Sequence, residues 1–277
     1  MQYDPIKNDL GKVFNRSAGM RKLFYRLLDI LLLRSWHIRS ELKAWAKGKP
    51  DQLHILDAGA GFGQYVYTLS KLNPNWKVTA VDVKEEQIAD CNRFFAQIGE
   101  ANRIAFEEGD LTRFVRENSY DLILSVDVME HILEDRLVFE NFHASMKPGG
   151  MLLISTPSDQ GGSDVHHHDH GPKDGEVHGF IDEHVRDGYN IEDIKEKILT
   201  AGFSKVEARY SYGAPGKISW RLSMKYPILM LNATRLSFLI LPFYYLLTFP
   251  FALLLNYFDV KNRNHPTGTG LVVKAWK

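Results

Sequence analysis

Residues 53–72 read LHILDAGAGFGQYVYTLSKL: a short apolar run, three glycines spaced two apart, then apolar side chains at helical spacing. An apolar run this short, closed by glycine, is the signature of a strand buried on both faces. Parallel strands are buried that way because their crossover helices cover both sides of the sheet. The chain then repeats the unit. WKVTAVDVKEEQIADCNRFFAQIG gives a strand at 78–81, an acid at Asp82 and a helix, and RIAFEEGDLTRF ends a third strand at Asp110. Residues 120–157 predict a strand at 122–126, a helix stopped by Pro148 and Gly149, and a strand at 151–155. NIEDIKEKILTAGFSKVEARYSY predicts a helix with Asn190 as N-cap and Gly202 as stop, followed by a strand at 204–211; TGLVVKAWK supplies one more. Alternation of this kind predicts an α/β fold with a doubly wound, mostly parallel sheet.

Composition narrows the partners. With 25% charged residues and a formal net charge of zero, a general affinity for nucleic acid is not expected. Cys91 is the sole cysteine, which rules out an internal disulfide and fits a reducing compartment. The opening MQYDPIKNDLGKVFNR lacks the apolar core of a secretory signal, so a cytoplasmic location is expected. The neutral total hides an asymmetry. Residues 1–50 hold eleven Lys or Arg against four Asp or Glu, and residues 205–263 hold eight against two.

In open α/β sheets, ligands lie beyond the carboxyl ends of the strands. Gly59, Gly61 and Gly63 form GxGxG, but the dinucleotide fingerprint needs a glycine at 64, where the chain has Gln64. Asp57, two residues before the first glycine, disfavours a pyrophosphate and welcomes a cation. Asp82, ending the second strand, is placed to accept from ribose hydroxyls, and Asp110 from an adenine amino group. The set describes a nucleoside that carries positive charge and no phosphate.

In order, LDAGAGFGQY, Asp82, EGDL and VMEHI…MKPGGMLLISTP resemble the motifs of class I S-adenosylmethionine-dependent methyltransferases, over about residues 51–212 and the last strand. The resemblance implies a seven-stranded sheet whose last strand is antiparallel and inserted beside the preceding one. It places Asp57, Gly59 and Gly61 at the methionine part of S-adenosylmethionine, Asp82 at the ribose and Asp110 with Leu111 at the adenine, with Val83 also in the cofactor site. DVMEHI sets Asp127, Glu130 and His131 at the end of the fourth strand, with His131 the expected base. The style is closest to ubiquinone-pathway O-methyltransferases, in which an acid–x–x–Glu–His set holds a divalent metal; polar residues at a helix start are the alternative, so metal use stays open.

The remainder divides into segments around the core of 51–212 plus 267–277. An N-terminal segment, 1–50, contains MRKLFYRLLDILLLRSWHIRSELKAWAKG, a basic amphipathic helix of the kind that binds anionic interfaces. A His-rich insertion, 157–189, offers His166, His168 and His184 as substrate contacts above the acceptor pocket, without a recognisable metal-site spacing. The segment 213–266 includes RLSFLILPFYYLLTFPFALLLNYFD, with no charge between Arg235 and Asp259. Because it lies between two strands that the resemblance makes neighbours, a single membrane crossing is excluded. Two short helices broken near Pro242 are expected, lying in one leaflet, with Leu236, Phe238, Leu239, Phe243, Phe249, Phe251 and Leu254 as the apolar surface. These features predict a methyltransferase, most simply acting at oxygen on a lipid-like or quinone-like acceptor at the inner face of a membrane. A soluble enzyme using the insertion as a substrate lid or dimer interface, and a catalytically silent cofactor-binding protein, remain as alternatives; the oligomeric state is not encoded legibly.

Overall fold

The computed structural model describes residues 17–161, 185–234 and 237–277. Two helices, α1 (Ala18–Leu31) and α2 (Leu33–Ala46), precede the sheet. The expected single N-terminal helix is thus divided. Leu32 takes an extended conformation, and Ser17 caps α1 by accepting from the Met20 N–H at 3.2 Å. There follow β1 (His54–Ala58), α3 (Gln64–Leu72), β2 (Lys77–Asp82), α4 (Glu85–Gln97), β3 (Ile104–Glu108) and β4 (Tyr120–Val126). A 3₁₀ turn, Met129–His131, leads to α5 (Asp135–Ser145), β5 (Met146–Pro157), α6 (Ile191–Thr200) and β6 (Lys205–Ser211). Asn190 caps α6, its side-chain oxygen accepting from the Glu192 N–H at 2.9 Å.

The seven strands run in the order β3-β2-β1-β4-β5-β7-β6. Strand β7 (Gly270–Trp276) pairs antiparallel with both β5 and β6, and the other pairings are parallel, as the sequence motifs implied. The core divides over the two faces of the sheet. On one, Tyr25, Ile38, Leu42, Leu69 and Phe94 cover Ile55, Val78, Leu122 and Leu153. On the other, Val138, Phe139, Phe142, Ile194 and Ile198 cover Leu56, Ile123, Leu152 and Val273.

Between β6 and β7 the chain forms a helical hairpin. Helix α7 (Ala214–Trp220), a π-turn (Arg221–Lys225) and α8 (Tyr226–Ala233) make the outward leg; α9 (Ser237–Lys261) makes the return. Cross-leg hydrogen bonds set the register: Tyr244 Oη donates to Leu222 O at 2.8 Å, Tyr245 Oη to Ser223 O at 2.9 Å, and Ser219 Oγ to Asn256 Oδ1 at 2.6 Å. The expected break near Pro242 is not where the helix breaks. Pro242 and Pro250 both lie inside α9, and the two helices meet instead near Thr234. Each proline removes a single i→i−4 bond, and Pro242 does so close to the helix start, where few bonds depend on it. Leu236 lies outside the described residues. Phe249 turns partly inward, its ring centroid 6.3 Å from that of Tyr245.

A buried charged cluster fastens the hairpin base to the core. Asp259, fully buried, accepts from His37 Nε2 at 2.9 Å, from the Gly216 N–H at 2.9 Å and from the Tyr212 N–H at 3.1 Å. Alongside it, Glu41 of α2 collects Arg209 at 3.0 Å, Lys274 at 3.5 Å and Arg263 at 3.6 Å. An isolated buried carboxylate would be costly, so each is surrounded by donors.

Candidate active site at the carboxyl edge of the sheet

The carboxyl ends of β1, β2 and β4 converge with the turns that follow them. Gly59 sits at φ +83°, and a Cβ there would overlap the Val128 side chain, so the turn after β1 can lie against the turn after β4 only with glycine at this position. Asp57, at the end of β1, is 1% exposed, and its Oδ2 has no hydrogen-bond partner among the described residues. Burial, and next the charge of Asp82, push its carboxyl up to about 8. Asp82 accepts from the Gly61 N–H at 2.8 Å and the Lys84 N–H at 3.1 Å, fixing the glycine turn over the second strand. Val83, beside it, is exposed. Asp110 is exposed and its Oδ1 takes both the Thr112 N–H (2.9 Å) and the Thr112 hydroxyl (2.8 Å), which hold its ionisation below the usual carboxylate range. Leu111 is buried next to it, its carbonyl accepting from Asn141 Nδ2 at 2.9 Å.

The turn after β4 separates its polar residues. Asp127, at φ +52°, pairs with the Arg34 guanidinium. Glu130 points inward: it is 1% exposed, accepts from Thr156 Oγ1 at 3.0 Å, and burial raises its pKa. His131 is half-buried on the same turn. Three-ligand convergence on a cation is not found among the described residues, and Glu130 is occupied by Thr156. His166, His168 and His184 lie outside the described residues.

The N-terminal helices supply contacts that sequence reasoning missed. Arg21 is buried and donates to Asp90 O at 3.2 Å, Phe62 O at 3.1 Å and Cys91 Sγ at 3.0 Å, while the Tyr25 hydroxyl bonds Phe62 O. Gln64, the residue that breaks the dinucleotide pattern, donates to Asp29 Oδ1 at 2.8 Å and Ser35 Oγ at 2.9 Å. So α1 and α2 close over the glycine turn. Arg21, Arg34 and Arg39, counted above among surface-binding basic residues, are instead committed to the protein: Arg39 pairs with Asp29. Apart from Arg39–Asp29, no local pattern marks these contacts, since they join residues far apart in sequence.

Sheet order, glycine turn and acids together define a class I S-adenosylmethionine-dependent methyltransferase fold. A family model for the methyltransferase domain matches residues 49–196, more than half of the chain, and the chain belongs to that family. It is 24% identical over 150 residues to malonyl-[acyl-carrier protein] O-methyltransferase 2 of Ilyobacter polytropus, covering 54% of each chain. It is 28% identical over 161 residues to phosphoethanolamine N-methyltransferase of Triticum aestivum, covering 58% of this chain and 29% of that one. The chain thus spans about half the length, or less, of these curated relatives. Among solved structures, phosphoethanolamine N-methyltransferase 2 of Haemonchus contortus, in complex with S-adenosyl-L-methionine, has a TM-score of 0.55 at 17% identity, covering 87% of this chain and 52% of that chain. The [4+2]-cyclase SpnF has a TM-score of 0.56 at 16% identity, covering 88% and 82%. Such likeness shows the fold, and the cyclase marks how far chemistry can diverge on it.

The residues present fit S-adenosylmethionine. A buried, unpartnered carboxylate oxygen at Asp57 suits a cationic ligand, and a Cβ built at Gly61 would meet nothing within 4 Å, so the turn leaves open space there.

Proposed function

We propose that this protein methylates a lipid-like or quinone-like acceptor at a membrane surface, most simply at oxygen. The observation that carries the reading is where the hairpin leaves the sheet. Ser211, ending β6, and Gly270, opening β7, are register partners, and Gly270 also faces Pro157 at the carboxyl end of β5. The hairpin therefore leaves and rejoins the sheet at the edge that bears Asp57, Asp82 and the turn after β4.

The hairpin is also apolar on the outside and polar within. Ser219, Ser223 and Asn256 are buried between the legs, whereas Leu239, Phe243, Leu246, Leu247 and Phe251 are each at least 66% exposed. Those five fall at helical i, i+4, i+7, i+8 and i+12 spacing, a single stripe continued by Leu254 and Phe258. In water such a stripe would be a liability. Small and polar residues between helices, with apolar ones outside, suit a hydrocarbon surround. By length and composition, Leu239–Lys261 is sufficient to cross a membrane. The shared edge of its two ends argues instead for a helix lying in one leaflet, with Trp220 and Tyr226 at the interface. Helix α1 shows the same inversion, burying Arg21 while exposing Met20, Leu23, Leu27 and Ile30.

S-adenosylmethionine supplies an electrophilic methyl group. Asp57 and Asp82 would hold the donor, the turn after β4 would position the acceptor, and His131 would take the proton that an acceptor hydroxyl gives up as the methyl passes from sulfur to that oxygen and leaves a neutral thioether. Buried Glu130, tied to Thr156, fixes that turn. The direct test is incubation with methyl-labelled cofactor and a total lipid extract. A labelled lipid is expected, and His131→Ala should lower the rate roughly 10²–10⁴-fold while keeping cofactor affinity. Transfer at the wild-type rate by that variant would remove His131 from the chemistry.

A further inference from the structure

Asn118, Asp127 and Tyr212 are the non-glycine residues with positive φ among those described, and two of the three grip one side chain or its backbone. The Asp127 carboxylate pairs with the Arg34 guanidinium, and the Tyr212 hydroxyl accepts from the Arg34 N–H at 2.9 Å. A side chain with a Cβ is disfavoured in the left-handed region, and such residues persist where their surroundings over-determine them, often at ligand sites. Tyr212 is over-determined: its own N–H is held by buried Asp259.

An ion pair one-third exposed on both sides contributes little stability, so Arg34 and Asp127 do not explain this investment in strained backbone. Arg34 also keeps unused capacity. Its Nε is buried with no hydrogen-bond partner among the described residues, although a guanidinium offers five donors in a planar fork. The side chain reaches the acceptor end, since the Asp127 it pairs with opens the turn after β4 that carries Glu130 and His131. A planar fork with one replaceable carboxylate partner matches the geometry of an incoming oxyanion.

We propose that Arg34 recognises an acidic group on the acceptor, a carboxylate or phosphate that takes the place of the Asp127 carboxylate beside the transferred methyl. The acceptor is accordingly an anionic amphiphile rather than a neutral quinol. This rests on the methyltransferase reading above, and Arg34 acts as a specificity-determining residue within it.

The test uses the full chain loaded with S-adenosylhomocysteine and titrated by calorimetry with octanoate, octyl phosphate and octanol. At least one acid should bind tenfold or more tighter than the alcohol. Arg34→Gln should abolish the preference, and Arg34→Lys should retain part of it. Asp127→Asn should bind the acid several-fold tighter than wild type, because asparagine tolerates the left-handed backbone and no longer competes for the guanidinium. Equal affinities for acids and alcohol in wild type would overturn the proposal, as would a preference that survives Arg34→Gln. Affinity for S-adenosylmethionine should stay within about threefold in Arg34→Gln. A large loss there would assign Arg34 to the cofactor's own carboxylate and end the claim on the acceptor. Methyl transfer confined to neutral lipids would also defeat this inference while leaving the methyltransferase reading intact; failure to bind S-adenosylmethionine at all would defeat that reading itself.

Discussion

The sheet and the hairpin of this protein solve opposite problems with the same amino acids. In the sheet and the helices that cover it, Ile123, Leu152 and Phe139 are fully buried. In the hairpin, serine and asparagine lie between the helices while phenylalanine and leucine face outward. Removing apolar area from water is favourable wherever it happens. The sheet does so by folding alone. The hairpin leaves its stripe for something else to cover, and its polar interior holds the legs together without it.

If a bilayer is what covers that stripe, changing Phe243, Leu247 and Phe251 to serine together should produce the largest effect. Burying such a side chain contributes about 1.5–3 kcal/mol, so the triple variant should lose on the order of 10³-fold or more in vesicle affinity, read by flotation. Wild-type binding should rise with anionic lipid and fall with salt, because Lys217, Arg221, Lys225 and Lys261 flank the apolar surface at roughly 1 kcal/mol each. Wild-type protein that stays at the bottom of the gradient, monodisperse without detergent, would show that the stripe is covered by protein contacts.

Stability should separate the two regions next. Phe139→Ala in the sheet core should cost roughly 3–5 kcal/mol in denaturant unfolding, whereas Phe243→Ala should stay within about 0.5 kcal/mol. Comparable losses at both sites would mean that the hairpin face is packed in solution and that the contrast is false.

Much of this was legible in the chain, for physical reasons that differ by region. The glycine turn, Asp82 and Asp110 could be read because their geometry is local: a strand end, a tight turn and the next helix lie within a few residues. Arg34 and Tyr212 could not be read together, since 178 positions separate their hydrogen-bonded atoms and neither neighbourhood announces a site. Basic charge in the first helices suggested a lipid-facing surface, yet Arg21 and Arg34 are turned to the protein. Composition reports how many charges there are and not which face they take. The proline rule placed the hairpin break at Pro242. A long apolar helix instead absorbs one missing bond per proline, and the turn forms nearby.

At the cofactor end of the sheet, Asp82→Ala should weaken S-adenosylmethionine binding by roughly 1.5–3 kcal/mol in calorimetry. Because Asp82 also holds the Gly61 N–H, Asp82→Asn should recover part of the loss. Unchanged affinity in a folded Asp82→Ala protein would remove the ribose assignment.

Asp57 sets the smallest and most specific test. Burial first, and Asp82 second, raise its carboxyl to about 8, so near pH 7 it is protonated in the free protein. A sulfonium bound alongside favours the ionised form and draws the pKa down, so binding must release a proton. Affinity for S-adenosylmethionine should therefore rise with pH up to about 8, by at most tenfold per unit, and level off above it. Calorimetry at pH 7 in two buffers of different ionisation enthalpy should show this release, and Asp57→Asn should abolish it. Stability follows with a worked sign. The folded pKa lies above the unfolded value of about 3.9, so the unfolded chain loses this proton first. Asp57 therefore costs free-protein stability increasingly as pH rises from about 4, with the full cost present above about 8. Asp57→Asn should then stabilise the free protein at pH 8 by about 1–3 kcal/mol, the scale of an unsatisfied buried group, with no comparable gain at pH 4. A gain of equal size at both pH values would mean that the carboxylate is not strained by its burial, and that the sheet, unlike the hairpin, does not hold a group in wait for its ligand.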